Sequence, residues 1–225
     1  MSEYKNDYFI CFRLNGKELD LLLEMGFRHF GYRFFRYSHT TFDDSLVTVL
    51  PLRTLVSDFK YSKKHKKIIN KNLDLQFETG TVTIKPESET LFENHKKKFS
   101  GVIPDSIYNF ISEKPDEIPY PVKNLKCYLN GKLVAQSFFE ETGKAVSSIY
   151  GFYDLSLSQR GLGILTILKE IEYAISSGKM YYYLGYTYNK PSFYEYKKKF
   201  PPLEYLDFTD FTWKNLSERS DEVKP

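Results

Sequence analysis

The sequence predicts an α/β (α+β) fold in which helices flank one mixed sheet and a small α+β subdomain precedes it. Two observations carry that reading. Ser147–Leu165, SSIYGFYDLSLSQRGLGIL, is followed by a helical stretch and then YYYLGY at Tyr181–Tyr186, so the order is strand, glycine turn, helix, strand. Upstream, Asn130-Gly131 joins the apolar runs of Leu125–Phe139 as a two-residue hairpin.

Taken in order, residues 1–72 read as the N-terminal subdomain: a strand in YFICFRL, a helix in KELDLLLEM, then aromatic strands through Val56. A helix starting near Ser62 closes it. Residues 73–217 read as the main domain. Within it, the proline-rich stretch from Ser100 to Pro121 is a connection with one short helix around Ser106–Ile111. The Asn130-Gly131 hairpin follows, then a strand in AVSSIYGFYD and the turn Arg160-Gly161-Leu162-Gly163. Apolar residues at Ile164, Ile167, Leu168, Ile171, Ala174 and Ile175 then repeat at helical spacing. The strand MYYYLGY, a short helix around Ser192–Lys199 and a last strand near LEYL complete the domain, and residues 218–225 read as a flexible tail.

Composition narrows the function classes. With 225 residues, 41% hydrophobic and 17% aromatic, the chain can bury one sizeable core, and most of its 19 Tyr and 19 Phe must serve there. A net charge of +3 excludes nucleic-acid binding by bulk charge alone, so local clustering is what counts. Lys63, Lys67 and Lys71, with Lys64 beside them, share one face of the helix after Ser62; they fit an anionic partner or an ordinary solvated face. Lys96–Lys98 and Lys197–Lys199 form two further runs. No apolar run approaches the roughly 18 residues of a membrane span, and MSEYKNDYF lacks the layout of a signal peptide. Cys11 and Cys127, read as buried thiols, imply a reducing compartment, so a cytoplasmic monomer is expected. His39 with Asp43 and Asp44 reads as a solvated loop rather than a metal site.

The order of meander, glycine turn, long helix and strand resembles the core of the Gcn5-related N-acetyltransferase fold, which implies two central strands that splay around the reacting groups. A narrower resemblance rests on SSIYGFYD, RGLGILTILKEIEYA, YYYLGY and YKKKFPPLE, and on LLLEMGFRHFG and SKKHKKIINKNLDL in the N-terminal half. Together these resemble the aminoacyl-tRNA–protein transferases of the N-end rule, arginyl-transferases and bacterial leucyl-transferases. The resemblance implies transfer of arginine or leucine from charged tRNA to the N-terminal α-amine of acceptor proteins, typically acidic ones, marking them for degradation. The chain departs from the family in two places. The family's cysteine cluster, proposed to hold zinc or an iron–sulfur centre, is absent from YRFFRYSHTTFDDSLVTVLPLRTLV, so no metal and no cofactor are expected beyond the charged tRNA. After YLGY, only the closing Tyr196-Lys197 of the family's "C.KM.YK" segment remains.

The candidate site follows from these strands and turns. Glycines at a helix N-terminus let free N–H groups approach phosphate, which marks Arg160, Gly161 and Gly163 as donor-binding; a turn needing positive φ would use glycine equally. Gly185, Tyr196, Lys197 and Phe152 are read as the rest of the donor site. Tyr186 and Tyr150 are candidate catalytic residues that stack on the terminal adenine or donate to the ester, alternation placing Tyr182, Leu184 and Tyr186 on one face. Asp154 is a third, as weak base or as turn cap. Arg160 and Lys197 are the candidate cations for an acidic acceptor, while Lys63, Lys64, Lys67 and Lys71 would contact tRNA phosphates. Two other functions fit parts of the chain. An acyl-CoA N-acetyltransferase would bind CoA and ignore tRNA, and a non-catalytic relative would bind RNA or peptide without turnover.

Overall fold

Runs rich in aromatic and β-branched residues favour pleated, half-buried surfaces. In the computed structural model, which describes residues 4–99 and 103–219, they pair into two sheets. The smaller contains β1 (Asn6–Ile10), β2 (Arg28–Phe30) and β3 (Arg33–Tyr37), antiparallel in the order β1-β3-β2. Between β1 and β2 lies α1 (Gly16–Glu24), nucleated by a capping box in which Asn15 Oδ1 accepts from the Glu18 amide and Glu18 returns the bond to the Asn15 amide. Gly26, at φ +84°, lets the chain turn out of the helix.

The larger sheet has nine strands. Its order is β12 (Thr212–Asn215), β11 (Leu203–Asp207), β5 (Ser45–Leu55), β10 (Tyr181–Tyr188), β9 (Ala145–Tyr153), β8 (Lys132–Glu141), β7 (Val122–Leu129) and β6 (Gln76–Thr81). β4 (His39–Phe42) pairs with the start of β5. Only β9 and β10 run parallel, as the crossover through α4 (Leu162–Ser176) requires. Leu162, Leu165, Leu168 and Ile171 of α4 cover one face of the sheet together with α2 (Lys63–Lys71), which adds Ile68 and Ile69. Phe138 and Phe139 of β8 point to opposite faces, and the Phe138 side is covered by α3 (Pro86–His95) with Ile107 and Ile111.

The structure departs from the expected division at residue 72. β5 is threaded between β10 and β11, so the large sheet takes its central strand from the N-terminal segment. Its run VLPLRT is buried on both faces, as a central strand covered from both sides requires. Pro51, which has no amide to donate, falls where β4 pairing has ended at Thr48 and β11 pairing has not begun before Leu52. β6, α3 and β12 are elements the sequence reading does not assign. The two short helices it expects are tighter 3₁₀ turns, at Ile107–Asn109 and Glu195–Lys199. A further 3₁₀ turn, Leu216–Glu218, takes in the first residue of the expected tail, and residues 220–225 lie outside the described residues. No helix among the described residues is long and apolar enough to cross a membrane.

Gly26 joins the two sheets, because a Cβ there would sit 2.6 Å from Leu206 Cδ2 on β11 and 3.0 Å from Phe208. Gly26→Ala combines that clash with an unfavourable positive φ and is expected to cost about 1–3 kcal/mol, read as a lowered urea midpoint at unchanged m-value.

Candidate active site

Parallel pairing between β9 and β10 is short. It covers Ala145↔Tyr181, Val146↔Tyr182 and Ser147↔Tyr183; beyond that point β9 continues against β8 alone and β10 against β5 alone. Both strands carry a bulge where they part, at Ile149 in β9 and Leu184 in β10. The bulges reverse the alternation. Tyr182 and Leu184 face α4, whereas Tyr186 packs with Phe35 and Tyr37 of the small sheet. The expectation that Tyr182, Leu184 and Tyr186 share a face is therefore corrected.

The fork leaves backbone groups without a partner strand, and two cations take their place. Arg28 Nη2 donates to the Ser148 carbonyl of β9, and Lys197 Nζ donates to the Tyr186 carbonyl of β10 at 3.0 Å. Gly185 lies between them at φ +86°; a Cβ there would lie 3.0 Å from Lys197 Nζ and 3.9 Å from the Arg28 guanidinium. As residues both cations are half-buried, yet Arg28 Nη1 is sealed from solvent and has no hydrogen-bond partner. Burial and the neighbouring Arg28 charge bring the Lys197 ammonium down to about 7. Among the described residues neither cation has a carboxylate partner. Glu140, the carboxylate whose charge Arg28 feels, is already bound to His29 Nε2 at 2.8 Å.

Beneath the fork lies a buried acid. Tyr182 Oη donates to Glu170 Oε2 at 2.6 Å, while Glu170 Oε1 has no bonded partner and lies near the Ser137 and Ser148 hydroxyls. Burial raises the Glu170 carboxyl to about 7, against those hydroxyls, which favour its charge. Tyr196, raised to about 12 by burial, faces the same group from the 3₁₀ turn.

The structure assigns the other predicted residues to different places. The Tyr186 hydroxyl donates to the Gly26 carbonyl at 2.7 Å, with the Phe35 carbonyl at 3.3 Å, so it anchors the small sheet. Tyr150 lines the fork's other wall, stacked on Phe110 with ring centroids 3.6 Å apart and its buried hydroxyl unpartnered. Phe152 is 1% exposed and belongs to the core under α3, away from the fork. Asp154 takes the capping role: it accepts from the Ser156 amide and hydroxyl and from Lys132, bonds that hold it below the usual carboxylate range and make it a poor base. Arg160 pairs with Asp74 through both terminal nitrogens and does not reach the fork. Arg28, Glu170 and Ser148 border the fork and are not among the residues singled out from sequence; Arg28 is one of three arginines, with Arg33 and Arg36, in the aromatic run GFRHFGYRFFRY, and nothing in the pattern sets it apart.

The basic helix and the glycine turn meet. Lys71 Nζ donates to the Gln159 carbonyl at 2.6 Å, Asn72 Nδ2 to the Arg160 carbonyl at 2.9 Å, and Ile68 packs on Gly161, whose φ is +70°. Gly163 is required for contact with Tyr153, 3.0 Å from where its Cβ would stand. Lys63, Lys64, Lys67 and Lys71 are all exposed, so α2 presents its charge beside the N-terminus of α4.

The residues present do not fit a thiolate-bound metal or cluster. Cys11 follows β1, whereas Cys127 is sealed in β7 with its thiol raised to about 12 by burial. Among the described residues no three His, Cys, Asp or Glu side chains converge.

The chain is similar to several known proteins. The profile of the C-terminal region of arginine-tRNA-protein transferases matches residues 87–207. An aspartate/glutamate leucyltransferase of Alcanivorax borkumensis is 30% identical over 211 residues, which cover 91% of this chain and 81% of that protein. Another, of Helicobacter hepaticus, is 28% identical over 194 residues, covering 82% and 77% respectively. Among solved structures, the GCN5-related glucosamine N-acetyltransferase region of a fungal multi-domain β-N-acetylglucosaminidase aligns with 84% of this chain and 21% of that one, at TM-score 0.49 and 16% identity.

Glu170 yields a pH test. A carboxyl whose folded pKa is raised contributes stability that is fully present below its unfolded value, about 4.5, and is lost as pH rises through about 7. Relative to wild type, Glu170→Gln is expected to gain stability between those limits, by about 3 kcal/mol at most, and to flatten that limb of a plot of melting temperature against pH. Parallel curves for the two proteins would show that Glu170 is not protonated in the native state.

Proposed function

This chain belongs to the arginine-tRNA-protein transferase family, and from that premise we propose that its fork joins the aminoacyl ester of a charged tRNA to the α-amine of an acceptor protein that begins with Asp or Glu. The observation that supports the reading is the pair of cations, Arg28 and Lys197, held without a carboxylate partner where β9 and β10 part. An acidic acceptor side chain supplies the missing anion, and binding it fixes the adjacent α-amine. The relatives' name, aspartate/glutamate leucyltransferase, favours leucine over arginine as the transferred group.

The chemistry then asks for placement more than for reactive side chains. The ester is already activated, and the acceptor α-amine, with a pKa of about 8, is partly neutral at physiological pH. Its nitrogen attacks the ester carbonyl, the C–N bond forms, the C–O bond to the ribose breaks, and the amine proton ends on the ribose oxygen. Holding the two groups together in a water-poor cleft can supply roughly 7–11 kcal/mol in ideal cases. Backbone N–H groups along the parted strands are the natural donors to the tetrahedral oxyanion. No metal or cofactor enters this scheme. The exposed lysines of α2, beside the glycine turn, hold tRNA through phosphates without reading sequence.

Incubation with tRNA charged with labelled leucine or arginine should place label on peptides beginning with Asp or Glu and not on those beginning with Ala, and RNase pretreatment of the donor should abolish it. Label on all peptides alike, or none with either donor, overturns the proposal. Because Lys197 loses its proton as pH rises through about 7, the KM for acidic peptides is expected to climb above neutrality. Lys197→Met should raise that KM at pH 6 by about tenfold or more, as loss of a charge-assisted hydrogen bond of roughly 1.5–3 kcal/mol implies, and should remove the rise in KM near pH 7, leaving only the titration of the acceptor amine itself.

A further inference from the structure

Beside the fork, between the β2–β3 turn and the loop after Tyr108, is a cavity of about 310 Å³. Phe12, Phe30, Tyr32 and Tyr108 line it together with Arg33, Glu113 and Lys114. Phe12, Tyr32 and Tyr108 are exposed at 59%, 39% and 40%, so three aromatic rings lining one cavity stand open to solvent. Phe12 and Tyr32 face each other with centroids 4.9 Å apart. The β2–β3 turn comes this close to the loop because residue 31 is glycine at φ +53°, with Ser112 N only 3.4 Å from where a Cβ would stand.

The register connects this cavity to the reacting centre. Arg28 and Phe30 alternate with His29 on β2, so both lie on the same face, about 6–7 Å apart along the strand. Phe30 also meets Phe110 edge-on at 5.2 Å, and Phe110 stacks on Tyr150 in the fork wall. A group in the cavity is therefore about one sugar ring away from the position of Arg28.

We propose that this cavity seats the unstacked base of the 3′-terminal adenosine of the donor, laid against the exposed aromatic surface of Phe12, Tyr32 and Tyr108, with Arg33 and Lys114 on the adjoining phosphate. The inference rests on the reading of the fork as the place where a tRNA-borne ester reacts. Stacking on aromatic side chains is worth about 1–3 kcal/mol per base and suits a ligand with a π-face. The two lining cations match a phosphodiester, and Glu113 in the same lining offers an acceptor for the exocyclic amine of adenine. A leucyl side chain is a poorer occupant. It would fill a small part of the space and leave both cations without a role.

The test uses Phe12→Ala combined with Tyr32→Ala, which removes exposed rings and leaves the fork and α2 intact. For transfer from charged tRNA, KM is expected to rise about 10-fold or more with kcat within twofold, and Phe12→Tyr alone should restore most of the affinity. The trinucleotide CCA should bind the wild type by saturation-transfer NMR, CCU more weakly, and the double variant neither. An unchanged KM, equal binding of CCA by wild type and double variant, or loss of leucinamide rather than CCA binding overturns the proposal. Loss of CCA binding in a protein that shows no transfer to any peptide would leave the base site standing and refute the transferase reading.

Discussion

Two parallel strands that stop pairing partway along a sheet leave hydrogen-bonding groups that must be satisfied by something else. The rest of this site follows from that requirement. Past Ser147 and Tyr183, the Ser148 carbonyl is met by Arg28 and the Tyr186 carbonyl by Lys197. Side chains therefore replace a strand, and because both are cations the gap that remains is a place for an anion. The same segment that supplies Arg28 is tied down on either side: Gly26 accepts from Tyr186 of β10, and His29 pairs with Glu140 of β8. One four-residue stretch, Gly26–His29, thus touches β8, β9 and β10, and the small sheet is fixed over the fork by the contacts that build it.

Electrostatics divides the surface into two working regions. The Arg28–Lys197 pair is enclosed, where burial lowers the Lys197 pKa towards neutrality and makes an anionic guest favourable. The lysines of α2 are exposed, which suits contacts to phosphate that fade with salt. Between them, the glycine turn serves structure first. Gly161 and Gly163 allow Ile68 and Tyr153 to approach, and this close packing is what brings the lysine helix to the N-terminus of α4.

Much of the fold was legible in the residues. Asn130-Gly131 closes the β7–β8 hairpin with both residues at positive φ, and the apolar period after Gly161 produces α4. Less of the site was legible, for identifiable reasons. A period-two argument cannot register a bulge, and the single extra residue at Leu184 moved Tyr186 from the α4 face to the small sheet. Tyr150 was placed at the fork, but Phe152, two residues on, lies in the core because α3, which carries no strong pattern, covers it. Asp154 and Arg160 have short-range partners, Ser156 and Asp74, that satisfy them locally. Arg28 was hidden because its role depends on a contact 120 residues away.

The central claim is that the fork's two cations act jointly as the receptor for an acidic acceptor. The direct measurement is a double-mutant cycle on Arg28→Gln and Lys197→Met, taking kcat/KM for peptides identical except for Asp or Asn at the first position. The account predicts that wild type prefers Asp strongly, that each single change removes much of the preference, and that the double variant barely distinguishes the two, with the pair non-additive as neighbours sharing one ligand should be. If the double variant loses rate on both peptides equally and keeps its preference for Asp, the cations only hold the strands apart, and the acceptor is read elsewhere.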